Sequence, residues 1–244
     1  MTPESGEALL SATGPARVIN LTYRSDRRSE FEAQLKRIGL SLDHPQIRLF
    51  AAIRPEESGG FPTIGTRGCF LSHLAVLREA IAAGQDSILI CEDDLDFTPD
   101  MISRLPGLLA GLMQQPWDLF YGSYADLPAG KVIAPGLIRA DPSETIVGLS
   151  FYAVRGKAIA DLVHYLEAIL TRAPGDPAGG PMHVDGAVSH FRADHPQYTT
   201  LVASPPIGVQ RSSRTDIHDL KWFDRLPVLR EVTSILRGLR RRAR

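Results

Sequence analysis

Glu92, Asp93 and Asp94 stand in a row directly after the apolar run at residues 87–91 (SILIC). Three carboxylates crowded at the end of a strand repel one another, and a divalent cation removes that repulsion while gaining oxygen ligands. In open α/β sheets, ligands collect beyond the carboxyl ends of the strands, where these side chains would lie. The chemistry on offer is a Mg²⁺ or Mn²⁺ ion that grips a diphosphate and neutralises charge developing on a leaving phosphate. Asp94 is the first choice of metal ligand and Asp93 the second, with Glu92 and Asp93 also reaching metal-bound water or ribose hydroxyls. The competing reading is a solvated acidic turn that caps the helix following Asp96 or Thr98.

Other polar residues fall where such a site needs them. Asn20, Arg24 and Arg27 follow the first apolar run, where a base or ribose edge would sit. Arginine clamps phosphate bidentately, although Arg24, Arg27 and Arg28 also suit an exposed basic turn. Ser72 and His73 lie in the first half of an amphipathic stretch, and His73 either meets the ligand or is a core histidine bonded to backbone. Arg211 and Arg214 stand among hydroxyls at residues 210–216, suited to a diphosphate or an acceptor phosphate, or to a solvated loop. Activating an acceptor hydroxyl takes a general base separate from the metal group. Asp185, between His183 and Gly186, is the candidate, with an N-cap as its other reading and Asp126 and Asp216 as fallbacks.

The elements that must position these residues alternate. Strands are expected at residues 16–21, 47–52, 87–91, 117–122, 147–154 and 198–203. Helices are expected after Ser25 or Asp26 up to Gly39, and at 68–83, 99–114, 157–170 and 184–191. Residues 54–66, 126–135 and 173–181 read as Gly/Pro-rich loops. Strands alternating with helices predict an α/β fold, a mostly parallel central sheet with helices on both faces. Residues 1–15 read as a disordered leader, 16–220 as the domain, and 221–244 as a basic amphipathic tail.

Charge supports that partition. The net charge of the 244-residue chain is −1. From Lys221 onward eight basic residues meet two acidic ones, a net +6, which leaves the rest of the chain 19 basic and 26 acidic residues, a net −7. The tail would lie on an anionic membrane surface or pack its apolar side on the domain. An acidic body without a recognition module argues against nucleic acid as partner. Only Cys69 and Cys91 occur, both in apolar surroundings, so they read as small core residues in a reducing compartment. The first sixteen residues lack a basic start and a long apolar run, so no secretory signal is visible. With no stretch near the ~20 apolar residues of a bilayer span, a cytoplasmic protein is expected, peripheral on the membrane's inner face if the tail docks.

Three blocks carry a resemblance. VINLTYRSDRRSEFEAQL (18–35), GCFLSHLAVLREAI (68–81) leading into ILICEDDLDF (88–97), and WDLFYG (117–122) followed by GLSFYAVRGKAIADLV (148–163) are similar, in order and spacing, to glycosyltransferase family 25. That family includes the lipopolysaccharide-type glycosyltransferases and the collagen galactosyltransferases, and the likeness covers about residues 17–165. The resemblance implies a GT-A-like fold with the acidic motif on metal and diphosphate. It implies transfer of a sugar, often galactose from UDP-galactose, to a glycan or lipid-linked acceptor, with inversion. Thr66-Arg67 stands where many members have Gly-Glu, which bears on donor identity and activity. The alternatives are a non-catalytic relative that binds sugar nucleotides or glycans as a scaffold, and, ranked last, a metal-dependent phosphohydrolase.

Overall fold

The computed structural model of the chain describes residues 4–211. Arg214, Asp216 and the 221–244 tail lie outside the described residues. Along the chain come α1 (Glu4–Thr13), β1 (Ala16–Asn20), α2 (Ser25–Lys36), β2 (Ile47–Ala51), α3 (Ile64–Ala82), β3 (Ser87–Glu92), β4 (Leu95–Phe97) and α4 (Met101–Met113). Then follow β5 (Leu119–Tyr121), β6 (Gly130–Ala134), β7 (Leu137–Ala140), β8 (Phe151–Arg155), α5 (Lys157–Leu170), α6 (Val184–Asp194), β9 (Thr200–Ala203) and β10 (Gly208–Gln210).

Eight strands form the main sheet in the order β2-β1-β3-β8-β5-β9-β7-β6. β1 runs parallel to β2 and β3, and β5 parallel to β9. β8 is antiparallel to both β3 and β5, and β7 to both β9 and β6. All the sheet's strands except β8 and β7 therefore point the same way, as the mostly parallel, GT-A-like expectation requires.

The period-2 alternation of the strands divides the core in two. Ile88 and Ile90 of β3 face α3, α5 and α6, packing with Phe70, Leu77, Leu162 and Val188. Leu89 and Cys91 face the other way, toward α1, α2 and α4, packing with Leu9, Phe31 and Leu105. Helices thus cover both faces, and a strand buried on both sides reads as a continuous apolar run.

Two expectations need correction. Residues 4–13 are helical, with Leu9 and Leu10 each 2% exposed against the second core, so the leader is not disordered over that stretch. A ten-residue helix is marginal alone, and burial of that leucine pair holds it. Residues 126–135, expected as a loop, contain β6, which pairs with β7 in a hairpin turning through Pro135 and Gly136. Gly136 has φ +77°, a left-handed turn conformation that favours glycine. Among the described residues no helix is long and apolar enough to cross a membrane.

Candidate functional site

The carboxylates occupy the exit of β3 as the sequence implies, and the pleat decides what holds each. Glu92 ends β3 on the same face as Ile88 and Ile90, so it meets α3. Cys69 and His73 are four apart on α3 and share a side of that helix. His73 Nε2 lies 3.2 Å from Glu92 Oε1, and Cys69 Sγ donates to the same oxygen at 3.5 Å. His73 Nδ1 meets the Tyr152 hydroxyl at 3.0 Å, and the two rings stack at 5.6 Å. Burial pushes Glu92 up, but the hydrogen bond and charge of His73, with Cys69 and Arg27, outweigh it and hold the carboxyl below its ordinary value. Burial first, then the Glu92 charge, pushes the Cys69 thiol well up.

Asp93 and Asp94 form the turn between β3 and β4 and are held from the α2 side. Asn20, at the end of β1, donates to Asp93 Oδ2 at 2.7 Å. Arg27 donates to Asp93 Oδ1 at 3.1 Å and lies 3.4 Å from Asp94 Oδ2. Gln210 Nε2 donates to Asp94 Oδ2 at 3.3 Å, and the Arg211 amide donates to the Asp94 carbonyl at 2.6 Å. Asp94 Oδ1 is buried with no hydrogen-bond partner. Burial, and after it the Glu92 charge, push Asp94 up to about 7 against the pull of Arg27. Burial raises Asp93 as well, opposed by Asn20 and Arg27.

These side chains line one side of a pocket of about 310 Å³. That is the low end of the size range for small-molecule sites, roughly 300–1,000 Å³. Its other wall is the 52–55 segment and the start of α3. Gly68 permits the close approach of these two, since a Cβ there would stand 2.6 Å from the Ile53 carbonyl. Ser72 fastens the wall, donating to the Gly68 carbonyl at 2.7 Å and accepting from the Ile53 amide at 2.8 Å. At the mouth the Arg54 guanidinium sits 4.9 Å from the centre of the Tyr23 ring, and Tyr23 is 52% exposed.

The expected residues thus divide. Asn20, Arg27, Glu92, Asp93 and Asp94 come together, and Ser72 lines the pocket with its hydroxyl already engaged. His73 is fully buried, bonded to Glu92 and to Tyr152, and lies behind the residues that line the pocket. Arg24 is turned to Asp26, with Nε 2.9 Å from Oδ1. Arg211 is clamped on Asp96 at 2.6 and 3.0 Å and paired with Glu30, so its guanidinium serves the β4–β10 join. Asp185 is half-buried in the first turn of α6; its Oδ2 accepts from the Gly148 amide at 2.9 Å and its Oδ1 from the Gly186 amide at 2.8 Å. Arg67, the departure from the family pattern, donates to the Glu57 carbonyl at 3.0 Å and braces the loop before α3.

Sequence reasoning misses Tyr23, Arg54, Gln210 and the exposure of Cys69 to the pocket. Their spacing to the acidic motif carries no local period; only the Cys69–His73 interval of four could have placed the thiol beside the histidine on one helix side.

Scanned against models of protein families, the chain matches none. Curated relatives do match. The "Probable inactive glycosyltransferase 25 family member 3" of Rattus norvegicus is 28% identical over 156 residues, covering 56% of this chain and 27% of the relative. The human "Inactive glycosyltransferase 25 family member 3" is 30% identical over the same length, with 56% and 26% coverage. "Procollagen galactosyltransferase 1" of Danio rerio is 34% identical over 122 residues, with 43% and 20% coverage. The chain therefore spans about a quarter of the length of these relatives. A solved glycosyltransferase, "involved in the glycosylation of the major capsid of PBCV-1", aligns with a TM-score of 0.42 at 10% identity, over 82% of this chain and 94% of that one. Fold and site together define an α/β protein with an acidic pocket at the exit of its β3 strand. The curated relatives support its assignment to glycosyltransferase family 25.

Proposed function

We propose that the pocket binds a nucleotide sugar, with UDP as nucleotide, and that the chain transfers the sugar to a glycan or lipid-linked acceptor with inversion. The observation that carries this reading is the buried, partnerless Oδ1 of Asp94, a residue of the acidic turn that lines the pocket. A buried carboxylate oxygen without a partner is costly, and a divalent cation is the partner its chemistry suits best. Asp94 would hold Mn²⁺ or Mg²⁺, with Asp93 adding what Asn20 and Arg27 leave of its oxygens. When bound, the ion supplies Lewis-acid stabilisation of the departing diphosphate.

The chain's own residues do the rest. Arg27, buried against the acidic turn, adds a fixed positive charge beside the diphosphate. Tyr23 and Arg54 at the mouth offer a ring and a guanidinium face on which a base stacks. Asp185 takes the proton of the acceptor hydroxyl as its oxygen bonds to the sugar's anomeric carbon and the bond to diphosphate breaks. An acceptor in lipopolysaccharide or other envelope polysaccharide, and contact of the 221–244 tail with the membrane, belong to the same proposal. A second reading, binding without transfer, is favoured by the relatives named inactive.

The experiment is UDP release from a panel of UDP-sugars with Mn²⁺, with and without an acceptor oligosaccharide pool. The expected result is acceptor-stimulated release that falls about 10²-fold or more in Asp185→Asn, the range for loss of a general base, while UDP binding persists. Binding without release from any sugar would select the second reading. Absence of binding would defeat both.

A further inference from the structure

We infer that Cys69, His73 and Glu92 form a site for a thiophilic divalent cation of the zinc class, separate from the oxygen site at Asp94. Among the described residues these three are the group whose donor atoms converge, all within 4.8 Å of one another. Zinc bonds of about 2.3 Å to sulfur and about 2.0 Å to nitrogen and oxygen set tetrahedral ligand–ligand edges of about 3.3–3.5 Å. The measured edges are 3.2 Å from His73 Nε2 to Glu92 Oε1 and 3.5 Å from Cys69 Sγ to the same oxygen. Both edges from the Glu92 oxygen stand at ligand spacing, and the Cys69–His73 edge lies within 4.8 Å, so a cation enters by replacing the bridging hydrogens as the Cys69 and His73 side chains draw together. The thiol proton leaves to solvent and His73 Nε2 gives up its hydrogen while Nδ1 carries one toward the Tyr152 hydroxyl, so a thiolate, a neutral imidazole and a carboxylate ligate the metal.

The surroundings match a metal site beyond the ligands themselves. A metal-bound histidine has its other ring nitrogen held by a polar partner, which fixes ring orientation. Here His73 Nδ1 is held by the Tyr152 hydroxyl at 3.0 Å. Cys69 and Glu92 both line the pocket, which provides an entry path and a fourth, open position on the pocket side. Ligand type separates the two sites. A Cys/His/carboxylate set selects zinc-like ions, and a carboxylate oxygen such as that of Asp94 suits magnesium and manganese. A cation at the first site would commit Glu92 and project its open position beside Asp94, so zinc is expected to act there as an inhibitor. The site stands on its own geometry, whether or not the pocket takes a nucleotide sugar.

Cobalt(II) reports it directly, because a cobalt–thiolate bond gives a ligand-to-metal charge-transfer absorption in the near ultraviolet. The reduced full chain is titrated with Co²⁺ in the presence of excess Mg²⁺. The expected result is that band, saturating at about one equivalent, abolished by Zn²⁺ and absent in Cys69→Ser. Cys91 lies in the opposite core, so Cys91→Ser is the control and keeps the band. No charge-transfer band in the wild-type chain, or a band that survives Cys69→Ser, would overturn the inference.

Discussion

At the scale of single residues the acidic triplet behaves as three different groups. Glu92 is held ionised by His73, Asp93 is tied between Asn20 and Arg27, and Asp94 keeps one oxygen without a partner. Asp94 therefore costs the fold stability at neutral pH. Its folded value is about 7 and its ordinary value 3.8, so across that window the folded chain holds a proton that the unfolded chain has released. Stability consequently falls as pH rises through the window, and the cost is fully present above it. With metal chelated, Asp94→Asn is expected to melt higher than the wild type at pH 8, by roughly 2–4 °C for each kcal/mol recovered. The gap should close toward about pH 3, below both values, where the carboxyl is mostly protonated in both states. Melting curves in chelator across that range check it, and a gap that does not change with pH would contradict the burial argument.

At the scale of elements, the parts of the site legible in the sequence were those built on a regular period. The SILIC run declared β3 and so located the strand exit. The 157–170 stripe declared α5 with both ends correct. Arg27, Phe31 and Leu35 recur every four residues, which sets Arg27 on the buried stripe of α2. The basic run beside it, Arg24 to Arg28, suits a phosphate clamp and an exposed turn equally, and only the period of four separates buried Arg27 from its neighbours. What stayed hidden has no period of its own. β4 and β10 are three residues each and are defined by pairing with one another across more than a hundred residues. Arg211, which reads as a phosphate ligand, is there to join them, bonding Asp96 of β4 and Glu30 of α2. Arg211→Ala is expected to speed amide hydrogen exchange at residues 94–97 and 208–210 while leaving exchange in β1, β3 and β8 unchanged. Uniform acceleration throughout the sheet would show that the clamp serves global stability.

At the scale of the whole molecule, the eight-stranded sheet with a core on each face holds the site from two sides. The α3 core sets Glu92, and the α2 core sets Asp93 and Asp94, so the spacing of the carboxylates depends on both. α1 closes the second core through Leu9 and Leu10. Leu9→Ala is expected to cost about 2–5 kcal/mol, the range for emptying a buried leucine site, as read by urea denaturation; a cost within ±0.5 kcal/mol would mean the helix is peripheral. The central claim is that a divalent ion at Asp94 lets this pocket grip a nucleoside diphosphate. Calorimetric titration of UDP into the full chain tests it most directly. Saturable binding is expected with Mn²⁺, none with chelator, and at least a tenfold loss of affinity, about 1.4 kcal/mol, in Asp94→Asn. Equal binding of UDP with and without metal, or in the wild type and Asp94→Asn, would contradict it.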